Sequence, residues 1–165
     1  VIIQTPYVIC NGYMYDVLQG ISDHAKLQIV LNAVEKGSNP WGCTDYLNQK
    51  KKILETGADV YELMNDYPVH TKAVLINDRL SVVGSYNLDM RSTYLDTELM
   101  LVIDSEKLSQ QIHETESDYM EKSKEVLANG QETEGAKYQG KVLNRKKKLY
   151  YGVLRMIIRP LRQLL

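Results

Sequence analysis

The chain has 165 residues, 44% hydrophobic and 25% charged, with a net charge of −1. That length suits one domain with a substantial core, and the composition is that of a globular protein with no low-complexity run. No apolar run of about 20 residues is present to span a bilayer, and no signal peptide opens the chain. Cys10 and Cys43 fit neither a disulfide framework nor a metal spacing, and read as buried or half-buried thiols in a reducing compartment.

Val1 to Thr5 is a β-branched run stopped by Pro6, which predicts a short strand. The chain opens on this run without an initiator Met, the pattern of a domain cut from a longer protein. Tyr13, Val17, Leu18 and Ile21 recur at helical spacing over Asn11 to Ile21. Leu27 to Leu31 reads as a buried strand. Asn39 to Gly42 reads as a loop, and Thr44 as the cap of a helix that ends at Gly57. Asp59 to Met64 is the next strand. Strands alternating with helices predict βαβ units and a mixed, mostly parallel sheet flanked by helices, an α/β fold.

Lys72 to Ile76 and Leu80 to Val83 are apolar runs joined by a tight turn, a hairpin. Thr97 to Ile103 is a further strand. Ser105 to Ala128 reads as one acidic helix with a sparse stripe of Leu108, Ile112, Tyr119 and Leu127. The expected organisation is a catalytic lobe over 1–128, a loop over 129–140 and a basic amphipathic helical tail over 141–165, broken near Pro160. Lys141 to Leu165 carries eight basic residues and no acid, which leaves −9 on the other 140 residues. That asymmetry points to an anionic partner for the tail.

Two stretches compete as a reaction site. His70 and Lys72 stand two apart, followed by Gly84-Ser85 and Asn87. His24 and Lys26 also stand two apart, followed by Gly37-Ser38 and Asn39. Side chains alternate along a strand, so His70 and Lys72 share a face, as do Ser85 and Asn87, and a hairpin can join both pairs. The set suits a phosphate: an ammonium for charge, a hydroxyl and an amide as donors, an imidazole to attack or move a proton. Gly84 leaves room for a close approach. In the other stretch Asn39 falls on the wrong parity from Ser38, and Pro40 breaks any strand. His24 therefore reads as a surface or helix-end histidine, and His113 on the acidic helix is discounted for a similar lack of partners.

The pattern His70-x-Lys72 followed by Gly84-Ser85-x-Asn87 resembles the signature of the phospholipase D superfamily. The continuation from Asn87 to Leu99, "NLDMRSTYLDTEL", together with "TPYV" and "TGADVYEL", is similar to its cardiolipin synthase branch over roughly Val1 to Ile103. The resemblance implies a phospholipase D-like lobe and phosphodiester transfer or hydrolysis on phospholipids, with no metal and no cofactor. It implies one His attacking phosphorus to form a phosphohistidine and a second His, from a second motif, protonating the leaving alcohol. By that resemblance His70, Lys72 and Glu98 are catalytic, with Glu98 orienting the His70 ring, and Ser85 and Asn87 bind phosphate. The other reading of Glu98 is an exposed strand residue in an ion pair. Asp89 and Arg91 are expected to brace the loop after Asn87 as an ion pair.

One position departs from the signature. Its Asp is replaced by Asn77, with Asp78 beside it. Asn77 lies an odd number of residues from His70, in the turn, where Asn and Asp serve alike. It reads as structural, and the opposing reading is an impaired copy. The chain carries one motif where the chemistry needs two, so the expected partner is an N-terminal motif-bearing half of the same protein, or else a second copy. The first makes the chain a C-terminal half that is inactive alone, in an enzyme at the cytoplasmic face of the cell membrane. The second makes it a homodimeric nuclease or phosphodiesterase, although −9 outside the tail argues against nucleic acid. The tail has Leu149, Val153, Ile157 and Leu161 at spacing four, Leu154, Ile158 and Leu165 beside them, and Arg155, Arg159 and Arg162 on another side. It either meets an anionic membrane or packs on the domain.

Overall fold

The computed structural model describes residues 1–165. It is an α/β domain on an eight-stranded sheet, with five helices and a terminal 3₁₀ segment. Three strands, β1 (Ile2–Gln4), β2 (Gln28–Asn32) and β3 (Asp59–Leu63), run parallel, joined by α1 (Gly12–Ser22) and α2 (Pro40–Glu55). These are the βαβ units that the alternating pattern predicts.

The rest of the sheet corrects the expectation of mostly parallel strands. β4 (Ala73–Ile76), β5 (Leu80–Gly84) and β6 (Met100–Asp104) extend it antiparallel from β1, and β7 (Ser123–Val126) and β8 (Glu132–Glu134) extend it antiparallel from β3. The spatial order is β6-β5-β4-β1-β2-β3-β7-β8. The cause is the kind of connection. β4–β5 and β7–β8 are joined by tight turns that force antiparallel pairing, and the long helix α4 (Glu106–Glu121) carries the chain from β6 across the sheet to β7, strands that are not neighbours, so it adds no parallel pair.

The parallel strands are buried on both faces, and their alternation assigns residues to two clusters. Ile3, Ile29, Leu31 and Val60 face α1 and α2, against Met14, Leu18, Tyr46 and Ile53. Ile2, Val30, Tyr61, Leu63 and Leu75 face α4 (Glu106–Glu121), against Ile112, Tyr119 and Met120. Cys10 and Cys43 are free and buried, and burial pushes their thiols up to about 12 and about 11.

Several boundaries differ from the sequence reading. α2 is capped by Asn39, which accepts from Trp41 N at 3.1 Å, with Pro40 at the first helical position, so the cap lies five residues before Thr44. An Asn cap followed by Pro fixes the first turn without help from Thr44. The acidic helix stops at Glu121, and β7 begins inside the stretch expected to be helical. β8 lies inside the expected loop. Both strands are polar: Lys124 pairs with Glu62 at 3.1 Å and Glu132 at 3.4 Å, so charge pairs replace the apolar alternation that marks a strand.

The tail forms α5 (Arg145–Ile158) and a 3₁₀ segment, Arg159–Leu164. Tyr151, Leu154 and Ile158 are buried, and α5 packs on α2. Arg162 makes a two-pronged pair with the fully buried Asp45, at 2.7 and 3.0 Å. Arg155 bonds Asn48 at 3.0 Å. Arg155 and Arg162 therefore face the domain, away from the outward Arg159.

Candidate active site

The β4–β5 hairpin brings His70, Lys72, Ser85 and Asn87 together around an open cavity of about 500 Å³, which Thr71, Val83 and Gly84 also line. The means is slightly different from shared strand faces. His70 and Lys72 lie on the extended segment entering β4, and Ser85 and Asn87 lie just beyond β5. All four thus collect at one end of the hairpin, with the last pairing bond from Gly84 N to the Lys72 carbonyl at 3.3 Å.

Each strand end is clamped. Asn32, buried at the end of β2, accepts from Val69 N and donates to the Val69 carbonyl, both at 2.8 Å, which fixes the backbone beside His70. On the other side Ile9 N donates to the Leu88 carbonyl at 2.9 Å, and Leu88 N to Thr5 Oγ1 at 3.2 Å. Ser92 Oγ accepts from Asn87 N at 3.3 Å and Nδ2 at 3.4 Å. Asn87 Oδ1 is buried with no partner, so the amide is only weakly used by the protein. Sequence reasoning alone finds neither Asn32 nor Ser92. The one signal for Asn32 is a polar residue ending an apolar strand.

Lys72 is buried while His70 is exposed. The Lys72 ammonium donates to the His70 carbonyl at 2.8 Å and lies 2.7 Å from His70 Nδ1. Partial burial, then the Lys72 charge, holds the His70 pKa below the usual histidine value. Both effects favour a neutral ring with a lone pair to offer. Burial also lowers the Lys72 pKa, against the opposing charges of Glu98 and Asp89.

Glu98 does not take the expected place. Its carboxylate accepts from Ser85 Oγ, and no hydrogen bond joins it to His70. Leu99 N donates to Ser85 Oγ at 3.0 Å, so Glu98 and Leu99, on the segment entering β6, hold the hydroxyl in place. Hydrogen bonds from Ser85 and Ser92 lower the Glu98 pKa. Asp89 and Arg91 do not pair either: Asp89 caps α3 (Met90–Tyr94) by accepting from Ser92 N at 2.6 Å, and Arg91 pairs with Asp96 at 2.8 Å. Gly84 is needed for a neighbouring strand, since a Cβ there would overlap the Leu99 carbonyl and Met100.

Asn77 sits at the far end of the hairpin, separated from Lys72 by the whole of β4, with φ of +57°. That is a turn geometry which Asn tolerates. Asp78 is exposed in the same turn. A second cavity of about 510 Å³ adjoins this turn, lined by Asp78, Arg79, Glu106 and His113 among others. Its carboxylates, and the engagement of Arg79 with Asp104, leave no free cation for an anionic ligand there. No group of three or more His, Cys, Asp or Glu converges to hold a metal ion.

The model of the "Cardiolipin synthase, PLD-like domain" family matches residues 1–118. The chain belongs to this family, within the phospholipase D superfamily. It is 30% identical over 149 residues to cardiolipin synthase A of Proteus mirabilis and 29% to that of Serratia proteamaculans. These matches cover 87% of the chain and 29% of each relative, so the chain spans under a third of their length. Among solved structures it is similar to phosphatidylserine synthase of Haemophilus influenzae, with TM-score 0.65 at 14% identity over 99% of this chain and 41% of that one. It is also similar to the phospholipase D family member Nuc of Salmonella typhimurium, with TM-score 0.61 at 16% identity over 74% and 78%. These likenesses establish the fold as a phospholipase D-like lobe.

Proposed function

We propose that the chain is one motif-bearing half of a phosphatidyl-transferring enzyme of cardiolipin synthase type, and that its reaction runs through a phosphohistidine on His70. The observation that carries this reading is the single cavity shared by a neutral imidazole, a buried ammonium, a fixed hydroxyl and an underused amide. Family membership supports phosphodiester chemistry, and −9 on residues 1–140 favours a lipid over nucleic acid. On this reading the enzyme works at the cytoplasmic face of the cell membrane.

In the resting site the ammonium occupies the His70 ring. An incoming phosphate diester competes for that ammonium with its own negative oxygens and frees the ring nitrogen. That nitrogen attacks phosphorus, the P–O bond to one alcohol breaks, and the alcohol leaves with a proton from a His of the second motif. Lys72, Ser85 and Asn87 stabilise the charge developing on the equatorial oxygens. A new alcohol, deprotonated by that second His, then attacks phosphorus and releases His70. With water in place of the alcohol the product is the hydrolysed lipid.

The edge strand β6 supports a partner half. Leu101 and Val102 are exposed along it, Leu99 is exposed just before it beside Ser85, and its outer backbone is unpaired. A bare apolar edge is where another chain or domain adds. The same edge also serves a second copy, the homodimeric reading, which differs in that the 165-residue chain then turns over substrate alone.

Acid-free quenching during turnover, followed by mass spectrometry, tests the intermediate. The expected result is a phosphatidyl adduct on the peptide bearing His70, absent from His70→Ala. An adduct confined to His24 or His113 overturns the assignment.

A further inference from the structure

α5 has two apolar faces. Tyr151, Leu154 and Ile158 dock on α2. Opposite them, Leu149, Tyr150, Val153, Met156 and Ile157 lie uncovered, from 43% exposed at Val153 to 72% at Leu149. At about 100° per residue these five fall within about 120° of the circumference, on the side away from α2. Arg145, Lys146, Lys147, Lys148 and Arg159 surround the helix, all exposed and none in a salt bridge. The two readings of the tail left open by its sequence are thus properties of opposite sides of one helix.

We infer that the outward face of α5 is a binding surface for an anionic bilayer, on which the helix lies flat with its apolar arc at the acyl boundary and its cations among the lipid phosphates. A bare apolar strip of this kind marks an interaction site, and the charge decides the partner. From Lys141 to Leu165 there is no acid, so a second copy meeting this face through its own would set cation against cation. The remaining 140 residues sum to −9 and are repelled by an anionic surface, which turns the domain to present α5. A helix of 14 residues is about 21 Å long, too short for a hydrocarbon core of about 30 Å, so it lies on the membrane and does not cross it.

The face is tied to the site. Leu164 and Leu165, just beyond α5, line a cleft with Asn87, Asp89 and Ser92, and the Leu165 carbonyl accepts from Arg91 N at 2.8 Å. Docking through α5 brings the loop of Asn87 toward the headgroup layer, a consequence that rests on the phosphodiester reading. The binding itself does not.

Cosedimentation of the 165-residue chain with vesicles tests it. Strong binding is expected to vesicles of equal parts phosphatidylglycerol and phosphatidylcholine at low salt, with little binding to phosphatidylcholine alone and steep weakening at high salt. The triple variant Lys146→Gln, Lys147→Gln, Lys148→Gln should bind on the order of a hundredfold more weakly, each charge near such a surface contributing about fivefold. Val153→Ser with Ile157→Ser should bind more weakly at every salt concentration. All five side chains are exposed, so circular dichroism should be unchanged. His70→Ala should bind as wild type, which separates this surface from the chemistry. The inference is overturned if the intact chain does not bind, binds neutral vesicles equally, or keeps its affinity in both variants. It is also overturned if the chain instead self-associates through this face, with Val153→Ser and Ile157→Ser abolishing a dimer and no vesicle binding.

Discussion

His24 to Asn39 and His70 to Asn87 contain nearly the same chemical groups, and the fold puts them to different uses. His24, just beyond α1, bonds the Gly20 carbonyl of that helix through Nδ1 at 2.9 Å, and Lys26, mostly exposed, stands 3.8 Å from Asp59. Gly37 makes room for Cys43, and Asn39 is spent on capping α2. In the second stretch Asn32 clamps the backbone beside His70, Glu98 holds the Ser85 hydroxyl, and Lys72 is left to face the imidazole. The two stretches part ways after the His-x-Lys. A hairpin returns the chain to the same place in one, while a strand leading into a capped helix carries it away in the other. Residue types alone do not make a site; the route of the backbone between them does.

The two regions should separate most sharply at the histidines. On the proposed reading, in an enzyme assembled with a second motif, His70→Ala should lower phosphodiester turnover by roughly 10⁴-fold or more, as for other lost nucleophiles, and His24→Ala should leave it unchanged. Comparable losses from both, in steady-state assays, would erase the distinction. The asparagines sharpen it. Asn39→Ala should lower the stability of the 165-residue chain by about 1 kcal/mol in urea unfolding, the usual worth of an N-cap. Asn87→Ala should cost turnover instead, its amide having only weak bonds within the protein. The smallest effect is expected at the signature departure. Asn77→Asp keeps a residue that tolerates a positive φ, at the end of the hairpin remote from the cavity, and should change turnover by no more than about twofold. A large gain would show that the chemistry needs an acid there.

Much of this is legible in the sequence because it depends on local pattern. The βαβαβ core, the hairpin, the meeting of His70, Lys72, Ser85 and Asn87, and the turn position of Asn77 all rest on periodicity and spacing. The features that are not legible depend on long-range pairing. Nothing in Ser123–Val126 or Glu132–Glu134 signals a strand, since these edges are held by cross-strand charges to Glu62, a residue far off in sequence. Strand direction is misjudged when the alternation of the first half is extended to a second half built on tight turns and on a helix, α4, that crosses to the far side of the sheet. The resemblance assigns Glu98 to His70, and the segment entering β6 delivers it to Ser85. Helical spacing groups Arg155 and Arg162 with Arg159, yet Asp45 and Asn48 draw the first two inward.

The clasp between Arg162 and Asp45 also orders events in time. His70 to Ser92 leave the ribosome long before Arg162 is made. The hairpin can close early because its contacts are local. Until Arg162 is made, Asp45 keeps its hydrogen bonds from Asn48 and Gln49 but lacks its cation. The loop bearing Asn87 lacks its bond from Arg91 to the Leu165 carbonyl over the same interval. A nascent chain therefore holds its histidine before the loop bearing Asn87 has its full set of bonds, and the tail that reads as an appendage in sequence helps to lock the cavity.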